Sequence, residues 1–494
     1  MATSVKRNAM AKMSLNILNI VLPLVTGPYV ARVLDSNLFG EYNKAFSILS
    51  WFLPFASFGI YNYGIRIISQ NKNDKEKTRK IFTQLFIMGC ISTIIVFFIY
   101  LLFVLFKPNK VNNLIYIVLS IQIIANIFMV EWMNEAFESY GFILFKTMIV
   151  RLFNVFSIFI FIRKSDDIVS YAMITSIVVL LNNILSYFHI KKHVSFEKIN
   201  IGELKNLIKP LCIMLLLANA SMFYTYLDKL YLSIFSKGIY VTYYTFSQAI
   251  TGLVINVISS LVIVTIPRLS RYLSEKDDEE YIKLLYSSSR IFFMIGIPMC
   301  IGISVLGKEI MLLYAGEEYL GAGLTLSLFS LRYIMGMCDL TLANQVIFVH
   351  GEEKRLAKLY FIGGITNLIL NSLLVMLNLL SPELLIITTF ISEVLLIILM
   401  NKCIRKNINK RIHVMNKYTV KYLLTSFMFF FISGVLSKVL NIQYVIDIRF
   451  IINIAIIIIT CVTFYISVLF ITKDCAFFEI VDIVMRRFKF NRKE

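Results

Sequence analysis

The stretch FYTYLDKLYLSIF, residues 223–235, is apolar and aromatic apart from two adjacent charges, Asp228 and Lys229. Three more basic residues, Lys44, Arg151 and Arg332, lie inside similarly apolar runs, as do the acids Glu131, Glu135, Asp339 and Glu393. A basic residue at the centre of a membrane-spanning helix costs about 2.5–3.5 kcal/mol. Four together cost roughly 10–14 kcal/mol, as much as the whole stability of a typical domain. They must therefore pair with acids inside a bundle or line a watered cavity. Glu131, Glu135 and Glu138 follow at i, i+4 and i+7, one face of a helix, where Arg151 on the next span finds acidic neighbours. Arg332 and Asp339 also lie seven apart on one face. Asp228 and Lys229 point about 100° apart and do not face each other, so each needs a separate partner or water.

The elements that must position these charges are helices crossing a bilayer. The chain has 494 residues, 58% of them hydrophobic, with a mean hydropathy of +0.76. Soluble domains are nearer 45–50% apolar. Apolar runs of 18 or more residues recur throughout, and each predicts a spanning helix. About fourteen are expected, centred near residues 21, 53, 93, 126, 152, 179, 221, 253, 296, 336, 369, 394, 430 and 460, which leaves little chain for a soluble domain. Nothing alternates in ~10-residue strands as a membrane barrel does.

A net charge of +19 raises nucleic acid as a partner. The distribution excludes it. With an inside N-terminus and alternating spans, 36 of the 49 Lys and Arg fall on cytoplasmic segments, Lys146 and the tail MRRFKFNRK among them, and nine on outer loops. This bias orients the chain with both termini in the cytoplasm. Ser14, Asn16 and Asn19 interrupt the first apolar run, which is therefore not expected to be a cleaved signal. The seven Cys stand singly with no C-x-x-C, so neither a disulfide framework nor a zinc site is expected. No G-x-x-x-x-G-K-[ST] is present, so the chain is not its own ATPase. No nucleophile–base–orienter set is visible and no enzymatic activity is expected. His189 and His193 have ligand spacing but flank Lys191 and Lys192, as an interfacial helix end does, and no metal is expected.

Several segments, in order, resemble the Wzx-type polysaccharide flippases of the multidrug/oligosaccharidyl-lipid/polysaccharide exporter superfamily. They are GPYVARVLDSNLFGEY (27–42), GIYNYGIRIISQNKND (59–74), EWMNEAFESY (131–140), YLDKLYL (226–232), IPRLS (266–270) and NQVIFVHGEEK (344–354), with Asn367 and Asn371. The likeness covers roughly residues 8–405. It departs at Asp35, where the family pattern expects Gly. The resemblance implies an all-α polytopic fold with two six-helix lobes around a central cavity and two further C-terminal helices. The corresponding divisions are 1–195, 196–410 and 411–494, the last including a basic cytoplasmic tail.

The implied function is translocation of undecaprenyl-diphosphate-linked oligosaccharide units, or a related surface-polymer precursor, from the inner to the outer leaflet of a bacterial plasma membrane by alternating access. A diphosphate headgroup cannot cross hydrocarbon unpaired, so such a carrier needs fixed cations in a wet cavity. Lys44, Lys229 and Arg332 are the candidates, Arg suiting bidentate phosphate contact and Lys acting as a point charge. Asp228, Asp339 and Glu131 are candidates for pairing or for a coupling H⁺ or Na⁺. No other cofactor is expected. Pro23, Gly27 and Pro28 interrupt the first helix and form a candidate hinge. The expected partners are the lipid-linked glycan, membrane lipids and other polymer-assembly proteins such as a polymerase, with the chain itself a monomer. Two alternatives stay open. One is a cation-coupled multidrug antiporter of the same superfamily, whose cavity should be acidic. The other is a non-transporting scaffold, which would tolerate neutralising the three cations.

Overall fold

The structure, a computed structural model, describes residues 24–107, 113–219, 226–408 and 416–490, together with Leu22, Met222 and Ile412. The described residues are helical nearly throughout, with no strand among them. A helix runs through residues 24–33. It is followed by α1 (Ser36–Ser57), α2 (Ile60–Asn71) and α3 (Lys75–Phe106). Next come α4 (Asn113–Ala136), α5 (Tyr140–Phe161) and α6 (Ile168–Lys191). Then follow α7 (Ile201–Ala218), α8 (Leu227–Phe235), α9 (Gly238–Ser274), α10 (Asp278–Val305) and α11 (Gly307–Ala315). The chain continues with α12 (Ala322–Phe348), α13 (Glu353–Met376) and α14 (Pro382–Ile408). It closes with α15 (Lys417–Val439), α16 (Ile448–Ile471) and α17 (Cys475–Phe490).

Among the described residues, eleven helices are long and apolar enough to cross a membrane. They coincide with eleven of the predicted centres. The centres near 21, 53 and 221 fall on helical chain that is interrupted or only partly described: 24–33, the α1–α2 pair and the α7–α8 pair. Large apolar side chains cover the outside, with Phe106 81%, Ile471 77% and Val264 73% exposed. Such a surface is stable facing lipid and strongly penalised in water.

Local sequence chemistry explains the helix ends. Asp35, Asp74, Asp277, Asn416 and Asp447 each accept backbone N–H bonds at the start of α1, α3, α10, α15 and α16, satisfying donors that the first turn leaves open. Asp35 is not a defect where Gly was expected. Its φ of −56° needs no glycine, and its side chain caps α1 through Asn37 and Leu38. The break between α1 and α2 falls at Phe58 and Gly59, whose φ values are 48° and 70°. The Phe58 N–H returns to the Pro54 carbonyl, and Pro54 removes a donor from the ladder above it.

The Cα framework divides into two units. The first holds residues 1–222 and 229–242, the second 223–228 and 243–494. In the first unit, Phe82, Trp132, Met133, Ile190 and Leu211 form a fully buried core. Gly64 is required there, because a Cβ at that position would sit 2.4 Å from the Trp132 ring. This contact joins the sequences GIYNYGIR and EWMNEAF, which are 60–70 residues apart. In the second unit, Phe292, Phe293, Ile297, Leu342, Val346, Met400, Tyr422 and Phe450 share one core. α15 and α16 pack into that same core rather than standing apart from it. Within α12 the segment Thr341–Phe348 widens to π-helical geometry. Gln345 there donates to Thr265 at 2.7 Å and to Ser288 at 3.1 Å, tying α12 to α9 and α10.

Candidate functional site

The second unit contains a buried polar cluster in an otherwise apolar bundle. Asp228, at 0% exposure, accepts four hydrogen bonds. Oδ1 takes Asn371 Nδ2 at 2.8 Å and Asn367 Nδ2 at 3.3 Å. Oδ2 takes the Thr389 hydroxyl at 2.5 Å and the Tyr244 hydroxyl at 2.7 Å. The set is tied together by Asn367 donating to Thr389 at 2.9 Å and Thr388 donating to Asn371 Oδ1 at 2.6 Å. Asp228 has no ion-pair partner among the described residues. A lone buried carboxylate is costly unless its lone pairs are met by donors or by a small cation. Carboxylate, hydroxyl and amide oxygens are the hard donors that H⁺ or a hard cation such as Na⁺ takes. Asn367 and Asn371 carried the family likeness. Their spacing of four residues puts both amides on one face of α13, turned to one carboxylate.

Arg332, 7% exposed, does not reach Asp339 on its own helix. It pairs with Glu393 on α14, Nε to Oε2 at 3.1 Å and Nη2 to Oε1 at 3.0 Å. Its guanidinium also lies 4.9 Å from the Phe329 ring centre. Arg332 is thus a paired cation, with the Nε–Nη2 edge of its guanidinium taken by a carboxylate. Asp339 instead accepts the Tyr360 hydroxyl at 3.3 Å.

In the first unit the three acids expected on one face each find a different partner. Glu131 pairs with Lys146 at 2.8 Å and accepts from Ser186. Glu135 accepts the Tyr61 hydroxyl at 2.8 Å, and Glu138 pairs with Lys72 at 3.1 Å. Lys146 is 2% exposed and also donates to Ser186 at 2.7 Å. It is therefore a buried cation, paired inside the bundle. The cation that meets Glu131 is this residue rather than Arg151, five residues further along α5. Burying a Lys was invisible to hydropathy, because its apolar stem blends with the surrounding run. His189 Nδ1 lies 2.9 Å from Asn134 Oδ1, and its ring stacks 3.7 Å from that of Phe142. No group of three or more His, Cys, Asp or Glu among the described residues is placed to hold a metal ion.

Lys44, on α1, pairs with Glu41 one turn earlier at 3.3 Å and remains partly exposed. Lys229 is half-buried and makes no ion pair or side-chain hydrogen bond among the described residues. Only its backbone carbonyl is used, by the Ser233 hydroxyl at 2.6 Å. Of the three candidate cations it alone is without a carboxylate partner among the described residues. Pro23 lies outside the described residues, while Gly27 and Pro28 lie inside the helix through 24–33.

Residues 5–273 match the profile of the family described as polysaccharide biosynthesis protein. A putative O-antigen transporter of Shigella dysenteriae is 22% identical over 381 residues, covering 74% of this chain and 91% of that protein. Its Escherichia coli counterpart is 22% identical over 385 residues, covering 74% and 89%. Among solved structures, the lipid II flippase MurJ in an inward closed conformation superposes with a TM-score of 0.69 at 14% identity, covering 94% of this chain and 98% of that one. A MATE protein in its straight conformation gives 0.51 at 13% identity, covering 82% and 97%. The fold is shared with these two proteins, and the chain is a multi-pass membrane protein. The two sequence relatives are named as transporters, and the first of these structures is that of a flippase.

Proposed function

Because the chain belongs to the polysaccharide biosynthesis protein family, we propose that it is a flippase carrying undecaprenyl-diphosphate-linked oligosaccharide units from the cytoplasmic to the outer leaflet of a bacterial plasma membrane. The relatives' name, O-antigen transporter, supports a lipid-linked glycan as cargo. The observation that carries the reading is Lys229, a half-buried cation in a spanning segment with no acid beside it among the described residues. A cation left so is stabilised when an anionic cargo arrives, and a diphosphate gains the counter-charge that hydrocarbon denies it. Lys44, held lightly by Glu41, is the second cargo cation. Arg332 serves instead to hold α12 against α14.

Asp228 is the coupling group. Its carboxylate and the hydroxyl oxygens of Thr389 and Tyr244 suit H⁺ or Na⁺, and binding either removes the charge that the cluster must otherwise stabilise. Alternating access then uses the first helix as hinge, with Pro28 leaving the Leu24 carbonyl without its helical partner. Replacing Pro28 with Ala slows turnover in reconstituted vesicles if that bend matters, and unchanged turnover removes it. A cation-coupled multidrug antiporter is the second reading, favoured by the buried acid at Asp228. It requires a cationic cargo beside Lys229, which has no acid partner among the described residues, and that works against it.

The test is depletion of the protein in its host with undecaprenyl-linked intermediates measured in each leaflet. Accumulation of an intact unit facing the cytoplasm is expected, reversed by the wild type and not by Lys229→Ala at equal abundance. No accumulation, with raised sensitivity to cationic dyes, overturns the reading in favour of the antiporter.

A further inference from the structure

We propose that the second unit carries a binding site for an anionic glycerophospholipid, with the headgroup phosphate at Arg290, Lys417 and Lys421 and an acyl chain in the groove between α10, α15 and α16. The proposal is independent of the cargo. It rests on two features that meet at one end of these helices.

The first is a cation cluster around one ring. The Arg290 guanidinium lies 4.1 Å from the centre of the Tyr418 ring, Lys417 Nζ 5.4 Å and Lys421 Nζ 5.8 Å. Lys421 is paired with Asp474, which also accepts Tyr422 at 2.9 Å. Glu479, on α17, accepts the Ser287 hydroxyl at 3.2 Å. Arg290 and Lys417 have no ion pair among the described residues, and the buried Arg290 Nε has no hydrogen-bond partner among them. An Arg held face-on by an aromatic ring with an unused buried N–H presents its remaining donors to an oxyanion.

The second feature is a cavity of about 530 Å³, lined by Met294, Pro298, Gly302, Phe429, Tyr465 and Phe477 among others. It opens on the lipid-facing surface, where its lining residues Ile458, Val462 and Ile466 are exposed. The two features adjoin. Met294 stands one turn beyond Arg290 on α10. Phe477, at the other edge, donates its backbone N–H to Asp474, the partner of Lys421. From Met294 to Val305 the lining of α10 runs 12 residues, about 18 Å of helix. That is close to the hydrocarbon depth of one leaflet, half of about 30 Å. On the orientation expected from the basic residues, the phosphate end faces the cytoplasm, where anionic lipids attract basic side chains.

The experiment is native mass spectrometry of the full-length protein released from mixed micelles of phosphatidylglycerol and phosphatidylcholine. The wild type should retain phosphatidylglycerol preferentially. The double variant Arg290→Gln, Lys417→Gln should lose that preference by roughly 30-fold, two basic residues at about 1 kcal/mol each near an anionic surface. Gly302→Leu should reduce retention of both lipids, because a Cβ there meets nothing within 4 Å and the added side chain fills the groove. Equal retention of the two lipids by the wild type, or an unchanged preference in the double variant, overturns the proposal. So does displacement of phosphatidylglycerol by inorganic phosphate, which would mark a free-anion site. Displacement by equimolar undecaprenyl phosphate would give the groove to the cargo tail and also overturn it.

Discussion

Replacing Glu393 with Gln separates a cation that supports the bundle from one that serves the cargo. Glu393 and Arg332 are 2% and 7% exposed and share two hydrogen bonds of 3.0–3.1 Å. Removing one partner of a buried ion pair costs about 3–5 kcal/mol, because the other charge stays buried and uncompensated. Gln still accepts one bond from the guanidinium, so the lower end applies, about 3 kcal/mol. At 1.4 kcal/mol per tenfold, the unfolded-to-folded ratio rises by roughly a hundredfold. Set against the 5–15 kcal/mol of a typical domain, that is a large share of the total. The readout is the apparent Tm and the monodisperse fraction in detergent, beside the amount of protein in membranes. Restoring neutrality and packing with Arg332→Met, Glu393→Leu should recover both, because buried pairs are replaceable by apolar groups of similar volume. The recovered double variant should also transport. If it folds at wild-type abundance yet the lipid-linked precursor accumulates, Arg332 handles cargo and the reasoning fails. An unchanged Tm in Glu393→Gln refutes it from the other side.

Lys229→Met should leave Tm unchanged or slightly raised, since it removes a cation without an acid partner among the described residues, while abolishing export; a fall in Tm comparable to that of Glu393→Gln would make Lys229 structural. Asp228→Asn should preserve abundance yet uncouple transport, so that flux in proteoliposomes no longer responds to an imposed pH or Na⁺ gradient; a retained response rules Asp228 out as the coupling group. Gly64→Val should cost about 1–3 kcal/mol by overpacking against Trp132, read as a lower Tm, whereas a neutral result would mean that α2 and α4 can separate. For Asp474, burial alone would raise its pKa, but the hydrogen bonds from Lys421, Tyr422 and the Phe477 backbone hold it below the usual carboxylate range. The docking of α17 should therefore keep its full stability above about pH 4, the unfolded value, and lose it as pH falls through the depressed value. Protease cleavage between α16 and α17 should rise only below about pH 4, and Asp474→Asn should abolish that dependence.

The spanning helices and their order were legible in the chain because each depends on neighbours within a few turns. Runs such as those of α3 and α16 exclude water whatever they later touch, and Asp35, Asp74 or Asp447 cap helices through N–H groups two or three residues away. The interior charges were legible only as a requirement that they be paired or wet. Which acid meets which base was decided by tertiary structure. Sequence spacing put Arg332 with Asp339, seven residues along one face, yet a guanidinium gains two parallel bonds only from a carboxylate lying in its plane along one edge, and Glu393 on a neighbouring helix offers that to the Nε–Nη2 edge, 61 residues away. Lys146 looked like an orientation signal until packing of α4, α5 and α6 closed over it with Glu131 and Ser186. Asp228 draws its donors from 16, 139, 143 and 161 residues away, a set that no local pattern contains. Hydropathy is a sum over single residues and survives being read one window at a time. Charge compensation is a property of pairs, and in a helical bundle the members of a pair are brought together only when the helices pack.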